Sequence, residues 1–229
     1  MNNAATGRVA AIIPAAGSGI RLGADIPKAF IELAGISLLT RSALAMSVVA
    51  DVIVVAAPTN ELKKASDLLA DVDAEVHVVA GGEQRQDSIA NALKVLPEDV
   101  SIVLVHDAAR PLIPVEVSQR VVSQLRAGAQ AVIPVLEIAD TIKKVDSANK
   151  VISTVDRNEL RRVQTPQGFT RAAIDQAYAN PEIVATDDAG LMEVLGIEVV
   201  TVIGDERAMK ITTAHDLQIA TALIGVTND

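Results

Sequence analysis

The sequence predicts an α/β protein with a Rossmann-like, mostly parallel sheet flanked by helices. Three observations carry this prediction. Short β-branched apolar runs recur along the chain, with segments of helical spacing between them; such alternation builds parallel sheets with right-handed crossovers. The runs are apolar throughout rather than alternating, which marks strands covered on both faces. A glycine-rich loop directly follows the first run, at the carboxyl edge where α/β sheets bind ligands.

The elements follow in order. Val9–Ile13 reads as the first strand. In Leu38–Val49, Leu39, Ala43 and Met46 share one side of a helix. Val52–Ala56 is a strand, and Glu61–Leu69 a helix presenting Leu62, Ala65 and Leu69. Strand Val76–Val79 precedes helix Ser88–Leu96. Strand Ile102–Val105 precedes helix Val115–Leu125, with Pro114 where a helix start tolerates it. Strands Ala131–Val135 and Val199–Ile203 complete the set.

One segment, Ile138–Val155, breaks the alternation. Two β-like stretches, Thr141–Val145 and Val151–Val155, flank the polar turn Asp146–Lys150, a hairpin signal. A hairpin of that size is not stable alone. It is either an edge excursion of the sheet or an arm packed on another subunit. No fixed-period repeat and no low-complexity linker divides the chain, so residues 1–229 are expected to form one domain, with the arm at about 137–158.

Composition removes several function classes. The chain has 229 residues, half of them apolar and 21% charged, which rules out global disorder. With no cysteine there is no disulfide framework, thiolate zinc site or cysteine nucleophile. The net charge of -9, from 20 basic and 29 acidic side chains, disfavours nucleic acid as a partner. The only aromatics, Phe30, Phe169 and Tyr178, are too few for a base-stacking platform. The apolar run Val9–Ala16 is too short to span a bilayer and holds Pro14. A cytoplasmic location away from membranes is expected.

The first loop, Pro14-Ala15-Ala16-Gly17-Ser18-Gly19-Ile20-Arg21, lets backbone N–H groups approach a phosphate. It misses the dinucleotide fingerprint, because the third glycine, Gly23, comes one place late, and no Walker Gly-Lys-Ser/Thr follows. Arg21 and Lys28 flanking such a loop suit a triphosphate, unless they are ordinary solvated charges. Gly81-Gly82-Glu83-Gln84-Arg85-Gln86-Asp87-Ser88 opens a helix; Asp87 or Ser88 is either its cap or, for Ser88, part of a base pocket. Val105-His106-Asp107-Ala108-Ala109-Arg110 brings polar groups to a strand end. Asp107 suits a divalent cation or a ribose hydroxyl, and Arg110 an anion. His106 is either a hydrogen-bonded structural residue or a general base. In the C-terminal half, Thr186-Asp187-Asp188 fits a helix cap, and Lys210 a surface lysine.

Taken together, Ala15-Ala16-Gly17-Ser18-Gly19-x-Arg21, Pro27-Lys28, Gly81-Gly82-x-x-Arg85-x-Asp87-Ser88, Val105–Arg110, Asp140-Thr141, Thr154–Arg157, Thr165-Pro166-Gln167, Thr186-Asp187-Asp188 and Lys210-Ile211-Thr212 resemble the 2-C-methyl-D-erythritol 4-phosphate cytidylyltransferases over nearly the whole chain. The resemblance implies transfer of the cytidylyl group of CTP to methylerythritol phosphate with release of pyrophosphate, on the non-mevalonate route to isoprenoid precursors. It implies that Arg21 and Lys28 act on the α-phosphate in the transition state. Pro14, Ala15, Ala16, Gly17, Ser18 and Gly19 then wrap the triphosphate, while Gly82, Glu83, Arg85 and Ser88 belong to the cytosine-selecting side. Asp107 and Ala108 face the ribose and the Mg2+ region, with Asp107 the metal-side carboxylate. Arg110 faces the incoming phosphate, and Lys210, with Thr186 nearby, contacts methylerythritol phosphate. Thr141 and Arg157 lie on an arm that reaches into the partner's site in a homodimer.

Two departures from the family pattern stand out: Ala29 where Gln is usual, and Ala208 where Asn is usual. Three alternatives remain at this level. Ribitol 5-phosphate cytidylyltransferases share most of the motifs. A nucleotide-binding sensor would have lost the cationic pair. A dinucleotide-dependent oxidoreductase conflicts with the glycine register. Because no aromatic lies in Ala15–Gly19 or Gly82–Ser88, cytosine is expected to be selected by backbone and small polar groups. Arg21, Lys28, Arg85, Arg110, Arg157 and Lys210 are expected to form a positive pocket on a negative body.

Overall fold

A computed structural model of the chain describes residues 6–17, 26–180, 182–183 and 185–226. In chain order the elements are β1 (Arg8–Pro14), β2 (Glu32–Leu33), β3 (Ile36–Ser37), α1 (Leu38–Ser47), β4 (Val52–Ala57), α2 (Leu62–Leu68), β5 (Glu75–Ala80), α3 (Arg85–Leu93), β6 (Val100–Val105) and α4 (Val115–Arg126). Then come β7 (Ala131–Glu137), β8 (Ile142–Val145), β9 (Val151–Val155), β10 (Arg161–Val163), β11 (Gln167–Thr170), α5 (Arg171–Tyr178), α6 (Asp188–Val194), β12 (Val199–Ile203) and α7 (Ala214–Val226).

Eight strands form one mixed sheet. Strands β6, β1, β4 and β5 run parallel side by side. Antiparallel β11 joins β6 to β7, and β7 also pairs antiparallel with β10 and parallel with β12. Because Val135 of β7 pairs with both Val163 and Ile203, β10 and β12 lie on opposite edges of β7.

The apolar runs explain the layers. Along β1, Val9, Ala11 and Ile13 face one core, with Leu39, Ala43 and Met46 of α1, Ala65 of α2 and Val117, Val121 and Leu125 of α4. Ala10 and Ile12 face the other, with Ile89 and Ala92 of α3, Ala173 and Ile174 of α5, and Leu191 and Met192 of α6. Each face of the sheet is thus covered by three helices, as a continuous apolar strand requires. A third cluster joins Leu33 and Leu38 to Ile211 and Ala220.

Several expectations need correcting. The run at Val76–Val79 is only half-buried, because β5 ends the sheet, and β12 is partly exposed for the same reason. Helix α3 begins at Arg85 rather than Ser88: Gln84 is its N-cap, and Asp87 closes a capping box by accepting from Gln84 N at 3.0 Å. The β8–β9 hairpin is a separate two-stranded sheet, so it is no edge excursion of the main one. Strands β2, β3, β10 and β11 and helices α5 and α7 add to the elements that the sequence predicts. Among the described residues no helix is long and apolar enough to cross a membrane.

Candidate active site

The carboxyl ends of β1, β5 and β6 enclose a cavity of about 300 Å3. It opens where the chain order reverses on either side of β1, the switch point at which open α/β sheets bind ligands. Pro14, Ala15, Ala16 and Gly17 line one wall, followed by Lys28 and Ala29. Gly82, Glu83, Arg85 and Ser88 line a second, and Asp107, Ala108 and Lys210 a third. No aromatic side chain is among the lining residues, as expected.

Local structure fixes each wall. Lys28 begins a short 3-10 turn, Lys28–Phe30, whose Ala29 and Phe30 are buried. Its backbone N–H donates to Gly17 O at 3.4 Å, which ties the turn to the glycine loop. On the second wall the Ser88 hydroxyl accepts from Gly82 N and donates to Gln84 O, both at 3.1 Å. Gly82 packs so closely that a Cβ would collide with the Asp87 side chain. Asp87 and Ser88 are therefore part of one preformed turn, not competing caps.

Asp107 is the electrostatic centre. Lys210 Nζ lies 2.8 Å from its Oδ2, Arg85 Nε 3.5 Å from Oδ1 and Arg110 Nε 3.8 Å from Oδ2. Burial alone would raise its pKa; the cations Arg85, Lys210 and Arg110 prevail and hold it down at about 2. Arg85 also reaches Asp188 Oδ2 at 2.7 Å, and Tyr178 donates to Asp188 Oδ1 at 2.6 Å. Burial would lower the Arg85 pKa, but Asp188 and Asp107 raise it. Burial raises that of the Tyr178 phenol, reinforced by Asp188.

His106 is fully buried, with Nδ1 3.1 Å from Thr165 Oγ1 and Nε2 3.3 Å from Arg110 O. Burial depresses its pKa to about 4, which keeps it neutral and supports the structural reading over a general base. Thr165 Oγ1 also accepts from Asp107 N at 3.1 Å, and buried Ser42 donates to Ala108 O at 3.0 Å.

The remaining expected residues are distributed as follows. Ser18, Gly19 and Arg21 lie outside the described residues. Arg110 does not line the cavity: its guanidinium donates to Ala208 O at 2.7 Å and Val163 O at 3.3 Å. Thr186 lines a smaller neighbouring cleft with Arg85, Tyr178 and Asp188. Thr141 and Arg157 are exposed and away from the cavity, and Arg157 donates to Ala139 O beside an open groove. The expected positive pocket is therefore only partly assembled within one chain: Lys28, Arg85 and Lys210 line it, while Arg157 does not. Ser42 and Tyr178, which hold the Ala108 carbonyl and the Asp188 carboxylate, stand in no recognisable motif of the sequence. Thr186-Asp187-Asp188 does cap a helix: Asp187 is the N-cap of α6, accepting from Gly190 N at 3.0 Å, and Asp188 is the acid of its first turn, with the added contact to Arg85.

The family model for 2-C-methyl-D-erythritol 4-phosphate cytidylyltransferase matches residues 9–226. The enzyme of that name from Saccharopolyspora erythraea is 50% identical over 222 residues, covering 94% of this chain and 99% of the relative. Its counterpart from Rhodococcus jostii is 49% identical over 220 residues, 95% and 96% of the two chains. Among solved structures, 4-diphosphocytidyl-2C-methyl-D-erythritol synthase from Anaerococcus prevotii superposes with a TM-score of 0.82 at 30% identity, covering 96% of this chain and 99% of that one. The Thermus thermophilus cytidylyltransferase gives 0.78 at 33%, covering 94% and 98%. With a family match running from β1 into α7 and half of all positions shared with a full-length relative, the chain belongs to the 2-C-methyl-D-erythritol 4-phosphate cytidylyltransferase family.

Proposed function

We propose that this protein transfers the cytidylyl group of CTP to 2-C-methyl-D-erythritol 4-phosphate, giving 4-diphosphocytidyl-2-C-methyl-D-erythritol and pyrophosphate, in the non-mevalonate supply of isoprenoid precursors. The observation that carries this reading is the cavity at the switch point, where Lys28, Arg85 and Lys210 line the same space as Ala15, Ala16 and Gly17. The family match and the named relatives set the ribitol 5-phosphate alternative aside. The cationic Lys28 at the cavity also argues against a non-catalytic sensor.

An oxygen of the acceptor phosphate attacks the α-phosphorus of CTP. The new P–O bond forms as the bond to the β-phosphate oxygen breaks, and pyrophosphate leaves in line. No proton need be removed from an ionised phosphate, so positioning and charge carry the catalysis. Lys28 and Arg21 meet the charge that develops at the α-phosphorus. Pro14, Ala15, Ala16, Gly17, Ser18 and Gly19 present the loop to the triphosphate. Gly82, Glu83, Ser88 and Ala108 shape the nucleoside side. Arg85 and Arg110 hold Asp107 and its loop, and Lys210 receives the acceptor phosphate, with Thr186 beyond it.

Mg2+ fits as a partner of the nucleotide rather than as a resident metal. Among the described residues no cluster of three ligating side chains occurs. Mg2+ is commonly held by one or two carboxylates plus substrate phosphates, and Asp107, ionised at any working pH, is the buried carboxylate of the cavity. Bound there, Mg2+ would neutralise phosphate charge.

We also infer a cytoplasmic homodimer of single-domain chains. The hairpin exposes Val145, Val151 and Ile152, at 48, 63 and 58%, on a two-stranded sheet too small to stand alone. In such a dimer the family resemblance assigns Thr141 and Arg157 to the other chain's cavity.

The test offers the purified protein CTP and Mg2+ with each acceptor in turn and follows pyrophosphate. Release with methylerythritol phosphate supports the reading. Faster release with ribitol 5-phosphate would reject it.

A further inference from the structure

Gln164 stands beside the Thr165-Pro166-Gln167 motif and has no part in the reading above. It is 4% exposed and leaves β10, its backbone N–H donating to Pro134 O at 2.8 Å. Gly204 leaves β12, its N–H donating to Val135 O at 2.9 Å. The two residues thus come off opposite edges of β7 at adjacent positions.

The Gln164 carboxamide grips the turn that follows Gly204. Its Oε1 accepts from Asp205 N at 3.0 Å; its Nε2 donates to Asp205 O at 2.8 Å and reaches Ala208 O at 3.5 Å. Glycine is what admits the carboxamide, because a Cβ at position 204 would overlap Oε1 and stand 3.1 Å from Cδ. Arg110 donates to the same Ala208 carbonyl at 2.7 Å, and Ile211 N donates to Ala109 O at 2.8 Å. Lys210 is held between these fixed points. Among residues 205–211 it alone lines the cavity, with its ammonium 2.8 Å from Asp107.

We propose that Gln164, seated against Gly204, is a positioning residue that sets where Lys210 presents its ammonium and so governs acceptor affinity. Both neutral hydrogen-bonding groups of the carboxamide are spent on the backbone of one turn, and Lys210 is that turn's outlet into the cavity. The effect of losing them is therefore directional. It falls on the acceptor side and leaves in place the nucleotide walls that follow β1 and β5, whose residues the carboxamide does not touch. The proposal rests on the assignment of Lys210 to the acceptor phosphate.

The experiment measures KM for CTP, KM for methylerythritol phosphate, kcat and amide hydrogen exchange in Gln164→Ala, Gly204→Ala, the double variant and Lys210→Ala. Each single clamp variant is expected to raise the acceptor KM at least about tenfold, inside the ~10²-fold that a misplaced group can cost, with KM for CTP changed less than about twofold. Exchange should quicken at residues 205–211. Because Gly204→Ala acts mainly by expelling the carboxamide, with one further close approach of 3.2 Å to the Val135 carbonyl, the double variant should be only slightly worse than Gln164→Ala alone. Multiplying losses, or equal rises in both KM values with a lowered Tm, would overturn the proposal. If Lys210→Ala leaves the acceptor KM unchanged, the assignment of Lys210 fails. In that case the acceptor effect proposed for Gln164 fails with it, while the exchange data report separately on the clamp.

Discussion

At the level of single residues, His106 is a buried imidazole held between Thr165 Oγ1 and Arg110 O. The folded imidazole stays neutral down to about 4, whereas its ordinary value is 6.5. Below 6.5 the unfolded chain takes up a proton that the folded chain refuses, so stability falls as pH drops from 6.5 toward 4 and this loss levels off below it. His106→Gln should flatten that part of a Tm-against-pH curve; an unchanged slope would remove His106 as its source. Asp107 works in the opposite sense. Its folded pKa, about 2, lies below the ordinary 3.8, so its stabilisation is full above 3.8 and is lost as pH falls toward 2. Lys28→Ala should lower kcat by about 10² or more while CTP still binds by calorimetry, the cost expected when one transition-state charge partner is removed. Asp107 was readable because it follows an apolar strand, and Lys28, Ser88 and Lys210 because each stands in a short motif that resembles the family's. Ser42 and Gln164 were not, because Ser42 meets its partner 66 positions away and Gln164 meets its own 41 positions away, with no period to betray either.

Among the elements, long apolar strands and helices with clear spacing were legible, and short polar ones were not. β10 is Arg161-Arg162-Val163 and β11 is Gln167-Gly168-Phe169-Thr170; neither is long or apolar enough to signal a strand, yet β10 is fixed by pairing with β7 and β11 by pairing with both β6 and β7. The start of α3 was misplaced because glutamine is an unusual N-cap, although Asp87 completes the box. Helix α1 contributes more than its apolar face. Its Ser42, fully buried, donates to Ala108 O and pins the loop after β6. Ser42→Ala should leave that carbonyl unpaired and cost about 1–3 kcal/mol, read as a lower denaturant midpoint at unchanged m-value. A loss below about 0.5 kcal/mol would show that water replaces the hydroxyl.

For the whole molecule, charge and aromatic content acquire a definite meaning. A body of net charge -9 concentrates Lys28, Arg85 and Lys210 at one cavity, and its three aromatics sit elsewhere, with Phe30 and Phe169 in the core. The local positive field should make KM for CTP rise with salt. If the arm completes a neighbour's site, mixing Arg157→Ala chains with Lys28→Ala chains should restore part of the activity, because one site of each heterodimer keeps both residues. No recovery in verified heterodimers would confine Arg157 to its own chain. The reaction is a single direct displacement at the α-phosphorus, with no covalent enzyme intermediate. It is tested most directly with CTP carrying one sulfur at a stereogenic α-phosphorus and methylerythritol phosphate as acceptor. Inversion of configuration in the product is the expected result; retention would require two displacements and contradict the mechanism.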